Sequence, residues 1–167
     1  MDKGIVVVNA AGNGGKLTPG PGLTSPAYHP RAIAVGASDS RGTNVAEDDA
    51  VAAFSSSAKE VGGRGPDLLA PGISIPSLMA PGSSIANAFG PYASVGTRFI
   101  KGSGTSQASA LVAGGVALLV QQRPTITHDR AKSTITYYSK RVLNEPTDTQ
   151  GRGVVQLDWI IGRSTRT

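Results

Sequence analysis

Gly102-Ser103-Gly104-Thr105-Ser106-Gln107-Ala108-Ser109-Ala110-Leu111-Val112-Ala113-Gly114-Gly115-Val116-Ala117-Leu118-Leu119-Val120 is a loop of small residues running straight into an apolar tract. Ser and Thr at its start, small and aliphatic residues through its body and Pro124 just beyond Gln122 predict a helix over residues 105–122. The tract is apolar on every side, so the helix is expected to lie inside the fold. Its 110–120 core is 11 residues long, two of them glycine, well short of the roughly 18 to 20 that cross a bilayer. It reads as a buried helix and not as an anchor.

What such a helix packs on is written upstream. Ile5-Val6-Val7-Val8 is a continuous β-branched run, which suits a strand buried on both faces of a parallel sheet. It ends in Gly12-Asn13-Gly14-Gly15, followed by Leu17-Thr18-Pro19-Gly20-Pro21-Gly22, where no helix can start or persist. A second strand is predicted over 32–36, a short extended segment around Ala52-Ala53-Phe54 after the solvated Glu47-Asp48-Asp49, and short extended pieces over 67–72 and 73–76. Residues 81–96, rich in Gly, Ser, Asn and Pro, read as a loop. Downstream, Thr127 is the expected N-cap of a second helix reaching about Ser139, and Gly151-Arg152-Gly153 leads to a last short strand or turn over 154–157. No internal repeat or interdomain linker is visible, so the order predicts one α/β domain.

Composition agrees. The 167 residues are 39% apolar and 16% charged, with 22 Gly and 11 Pro, a turn-rich profile that is neither disordered nor fibrous. With no cysteine and two histidines, disulfides, thiolate metal sites and cysteine nucleophiles are excluded. The four strongly apolar residues near the start are too few for a signal peptide. The net charge of +5 is uneven, with 6 basic and 7 acidic residues over 1–96 against 10 and 4 over 97–167. No aromatic residues are threaded among the basic ones as nucleic-acid stacking would require, so Arg130, Lys132, Lys140 and Arg141 read as a solvated face.

Two stretches could carry chemistry. Gly12-Asn13-Gly14-Gly15-Lys16 suggests a phosphate loop, but Ala10 and Leu17 stand where that pattern needs glycine and a hydroxyl, and prolines follow where a helix N-terminus is needed. In the second stretch, Ser106 reads either as part of a helix cap or as a nucleophile. Gly104 and Ala108 leave its hydroxyl open at a helix start, where amides and dipole favour developing negative charge.

Six motifs then occur in the order and spacing of the subtilisin-like serine proteases, which this chain resembles over nearly its whole length: Ala10-Ala11-Gly12-Asn13-Gly14, Ile33-Ala34-Val35-Gly36-Ala37, Phe54-Ser55-Ser56, Ala70-Pro71-Gly72-Ile73-Ser74-Ile75, Gly104-Thr105-Ser106-Gln107-Ala108 and Val112-Ala113-Gly114. The wording around Gly65-Pro66-Asp67-Leu68-Leu69 looks most like actinobacterial members. Ala110 stands where the best-known members carry proline, which affects rigidity more than chemistry. The resemblance implies the C-terminal portion of the subtilisin-like parallel-sheet fold with a buried nucleophile helix. It further implies that Ser106 is the acylating nucleophile, that Asn13 donates its amide to the oxyanion, that Ala10, Ala11 and Gly12 line the pocket for the side chain before the scissile bond, and that Ser25-Pro26-Ala27 forms its rim.

The family's catalytic Asp and His precede the oxyanion asparagine, and neither context occurs in this sequence. Asp2 lacks the surrounding pattern, while His29 and His128 stand where the family has no catalytic histidine. Residues 1–167 are therefore expected to form a partial catalytic domain, nearly inert alone, whose Asp and His come from a missing N-terminal half or another chain. The alternative is a catalytically dead module that binds peptides or a partner. The implied substrate is a polypeptide. No cofactor, nucleic acid or membrane is implied, and structural calcium, which the family uses, is not legible here. The resemblance implies an extracellular location. An unpaired edge at residues 5–8 implies self-association of the isolated chain.

Overall fold

The computed structural model describes residues 4–16, 20–60 and 62–162. Asp2, Leu17, Thr18 and Pro19, which entered the sequence reading, lie outside them. In chain order the elements are β1 (Val8–Ala10), β2 (Ile33–Asp39), β3 (Ala50–Val51), β4 (Leu68–Pro71), β5 (Ile75–Leu78), α1 (Ser84–Ala93), β6 (Ser94–Val95), β7 (Phe99–Gly102), α2 (Thr105–Gln122), α3 (His128–Tyr137), β8 (Ser139–Lys140), α4 (Thr147–Gln150), β9 (Val154–Val155) and α5 (Leu157–Gly162). The main sheet runs β1-β2-β4-β9-β8, with β3 paired to β2, and β1, β2, β4 and β9 are mutually parallel. A separate antiparallel sheet, β5-β7-β6, grows from the end of β4.

Alternation along β4 divides the interior. Leu68 and Ala70 join Ile33, Val35 and Ala37 under α2, whose Ala108, Val112, Val116 and Leu119 are buried there with Ala131 and Ile135 of α3 and Ile160 of α5. Leu69 packs with Ala46, Val51, Val142 and Val154 in a smaller cluster. Fully burying each of Leu68, Leu119 and Ile135 contributes roughly 1.5–3 kcal/mol. An aspartate ties the same elements together from outside the core: Asp67 Oδ2 accepts from Ala34 N at 2.8 Å, Arg64 Nη2 at 3.2 Å and Lys132 Nζ at 3.0 Å. Of the basic residues read as a solvated face, Lys132 is drawn in to pair with Asp67, while Lys140 stays exposed and pairs with Glu47 at the surface.

Three expectations are corrected. The first strand begins at Val8 and not Ile5, which is exposed, and it is only half-buried, because β1 is the outer strand and pairs with β2 alone among the described residues. Residues 81–96 are not a loop. Ser83 accepts from Ala86 N at 3.1 Å as an N-cap, Ile85-Ala86-Asn87-Ala88-Phe89 contains no helix breaker, and α1 forms there with Pro91 in its last turn. The helix α2 has the expected bounds but buries one face only: Leu111 and Leu118 are 39% and 44% exposed on the other.

Candidate active site

Parallel strands share one carboxyl edge, and loops leaving that edge are where α/β folds place their sites. Here the loop after β1 carries Asn13, and the start of α2 is docked against the end of β4 by a 2.8 Å bond from Gly104 N to Gly72 O. Gly104 has φ 155°, a backbone conformation that residues with a side chain rarely adopt, which favours glycine at this turn into α2.

Ser106 is the second residue of α2 and is exposed. Its N–H belongs to the first helical turn, whose amides lack intrahelical partners. That turn carries no acidic residue, leaving the positive end of the dipole uncompensated. Asn13 is fixed beside it. Thr105 donates both its backbone N–H and its hydroxyl to Asn13 Oδ1, each at 3.0 Å. A backbone N–H is always a donor, so the atom facing it must be oxygen, and Nδ2 is forced to the other side. There it lies 3.5 Å from the position of a Cβ on Gly104 and makes no hydrogen bond among the described residues.

The glycine loop is held by the Phe54-Ser55-Ser56 motif. Ser56 N donates to Gly12 O at 2.9 Å, Gly14 N to Ser56 Oγ at 3.1 Å and Gly15 N to Phe54 O at 2.9 Å. Lys16 pairs with Glu145 at 2.8 Å just beyond. Gly12 sits at φ 112°, and its N–H donates to Thr105 Oγ1 at 3.2 Å. Thr24 N donates to Ala11 O at 2.9 Å, which lays the Ser25 segment along Ala10, Ala11 and Gly12. Ser25 is exposed, Ala10 and Gly12 are half-buried and Ala11 is fully buried. The structure thus places Asn13 against Thr105, the neighbour of Ser106, and sets Thr24, next to Ser25, on Ala11. Thr105 and Ser56, which hold Asn13 and its loop, were missed. Thr105 lies next to Ser106 and Ser56 within a recognised motif, yet neither position signals a role until the chain is folded.

Neither histidine reaches Ser106. His128 is buried at the start of α3, its Nδ1 at 3.1 Å from Asp129 Oδ1, beyond the far end of the 18-residue α2, which at 1.5 Å per residue spans about 27 Å. His29 precedes β2, at the opposite edge of the sheet, and its Nδ1 accepts from Arg31 N at 3.3 Å. Among the described residues no three His, Asp or Glu side chains are grouped to hold a metal ion, and no helix is long and apolar enough to cross a membrane. Near the end of β2, burial pushes the Asp49 carboxyl up from its ordinary value, outweighing the pull of the Ser38 hydroxyl in the other direction.

A parallel α/β sheet, with a serine at the head of a core helix and an asparagine held beside it, defines an α/β protein of the serine-hydrolase kind in architecture. The chain belongs to the subtilase family, whose model (Peptidase_S8) matches residues 1–153. It is 38% identical over 156 residues to serine protease AprX of Bacillus subtilis (strain 168), covering 93% of this chain and 35% of AprX. It is 35% identical over 154 residues to subtilisin E of the same organism, covering 86% of this chain and 33% of subtilisin E. The chain thus spans about a third of the length of these curated relatives. Among solved structures, fervidolysin from Fervidobacterium pennivorans, a keratinolytic enzyme related to subtilisin, superposes with a TM-score of 0.73 at 28% identity, over 96% of this chain and 23% of that one.

Proposed function

We propose that this chain supplies the nucleophile and half of the oxyanion hole for peptide-bond hydrolysis by a subtilisin-like endopeptidase. Ser106 Oγ attacks the scissile carbonyl while its proton passes to a base. The oxyanion that forms accepts from Ser106 N–H and from Asn13 Nδ2, the base returns the proton to the leaving amine, and water then releases the acyl group from Ser106. The observation that carries this reading is the Asn13 amide, whose oxygen is consumed by Thr105 so that its N–H donors are left for the oxyanion. An uncharged donor on a rigid loop stabilises developing charge without the desolvation cost of a cation.

The base is proposed to be a histidine, oriented by an aspartate, from outside these 167 residues. The open edge of β1 and the exposed face of α2 are the surfaces it would arrive on. The chain alone is then nearly unreactive, since a serine hydroxyl without a base is a poor nucleophile. The family relationship supports an extracellular setting and a polypeptide substrate. The second reading, a module that binds peptides without cleaving them, is favoured by the distance of both histidines from Ser106.

One experiment separates the two. The chain is co-refolded with the Asp- and His-bearing N-terminal portion of a close relative and assayed for peptide cleavage. Cleavage abolished by Ser106→Ala supports the protease reading. A well-folded complex that binds peptide and never cleaves it establishes the other.

A further inference from the structure

The helix α1 presents its apolar residues the wrong way round for a globular surface. Ile85, Phe89 and Tyr92 fall at i, i+4 and i+7 on one face and are 63%, 59% and 90% exposed, while the small Ala86, Gly90 and Ala93 are the half-buried ones. Not one residue of α1 is buried. Exposed apolar surface of this kind marks an interaction site, and here it has a shape. Ile85 and Phe89 wall a groove of about 630 Å³ that continues past Leu78 and Ile100 of the β5-β7 pair to Ser103 and Gln107. That volume suits a few side chains of a ligand.

The far end of the groove fixes its occupant. Gln107 follows Ser106 directly, and its amide lies across Gly102 and Gly104, within 2.8 Å of where a Cβ on either would stand. The groove therefore ends at the residue that follows Ser106. It approaches the serine from the continuation of β4, whereas Asn13 approaches from β1, with β2 between the two strands. A peptide whose scissile oxygen sits at Asn13, with the preceding side chain along residues 10–12, must run its other half away from β1.

We propose that the α1 groove binds the leaving half of the polypeptide substrate, selecting large aliphatic or aromatic side chains in the residues after the scissile bond. This rests on the serine-protease reading for its orientation, but the binding itself involves no bond cleavage. The test uses the full chain and two five-residue peptides that differ only in their first two residues, Leu-Leu or Ser-Asp, followed through the methyl NMR signals of Ile85 and Ile100. The Leu-Leu peptide should shift both signals and the Ser-Asp peptide neither. Phe89→Ser should weaken Leu-Leu binding about tenfold, the effect of one apolar contact, and Ile85→Ser similarly; both side chains are exposed, so neither change removes a core residue. Absence of shifts at millimolar peptide, equal response to both peptides, or undiminished binding by both groove variants overturns the proposal. An ester substrate ending at the scissile bond, offered to the co-refolded complex, reports on Ser106 alone, so failure of the protease reading shows there and not in the binding data.

Discussion

Asn13 has one orientation because its neighbour allows no other: the Thr105 N–H claims Oδ1 and leaves Nδ2 beside the serine. In the co-refolded enzyme Asn13→Ala should therefore lower kcat with little change in KM, since the amide meets the oxyanion and not the ground-state carbonyl. The expected loss is about 10²- to 10³-fold, a magnitude taken over from the corresponding donor in subtilisin and not deduced from this geometry. A variant with full kcat removes Asn13 from the oxyanion hole. By residue type Asn13 is an ordinary turn residue among glycines, and its role was legible only through the motif around it; Thr105 and Ser56 act through contacts of high sequence separation, which no local pattern encodes. Asp49 is a residue whose effect depends on pH. Its carboxyl holds a proton more tightly in the folded chain than at its ordinary value of 3.8, so its contribution to stability is favourable at low pH and is lost as pH rises through the raised folded value. Asp49→Asn should then be more stable than the parent at pH 7 in a denaturant titration, with the advantage gone below pH 3.8. A difference independent of pH would sink that account.

Elements are held in register by polar ties as much as by the core. Asp67 precedes β4, accepts from the backbone of β2 through Ala34 and from α3 through Lys132, and takes Arg64 as well. Asp67→Ala leaves two cations and a backbone N–H short of their acceptor in a partly buried site, so it should cost about 2–4 kcal/mol in urea unfolding. A loss below about 1 kcal/mol would show that water replaces the carboxylate there. The sequence shows the elements unevenly, for physical reasons. The bounds of α2 and the start of α3 were legible because small polar residues open both helices and Pro124 separates them. The helix α1 was not, because Gly, Pro and Ser flank a run of only five helix-compatible residues and its apolar face is turned outward. The pairs β7 with β5 and β8 with β9 involve strands of two to four residues, set by their partners more than by any alternation of their own.

For the whole molecule, the apolar pattern around α2 is the decisive clue, and it reads differently once folded. A helix apolar on every side predicts burial on every side, yet coverage comes from the sheet on one side and from α3 and α5 along the flank, and Leu111 and Leu118 remain exposed. Among the described residues β1 is paired on one edge alone. Ile33 N bonds to Val7 O and Ala11 N to Val35 O, so by parallel alternation residues 7, 9 and 11 face β2, and the N–H and C=O groups of Val8 and Ala10 point outward. An unpaired edge and exposed leucines each favour association. The isolated chain should therefore sediment as dimers or larger species at micromolar concentration. Leu118→Lys should shift it toward monomer by placing a charge on the apolar face, and Val8→Pro should do the same by removing a donor that β2 does not use. Co-refolding with the N-terminal portion of a relative should suppress association as fully as the two variants together, because it would occupy both surfaces. A monodisperse monomer whose Val8 and Ala10 amides are protected from exchange would mean that the edge is already covered within this chain, and the proposal that a catalytic base arrives on that side would fall with it.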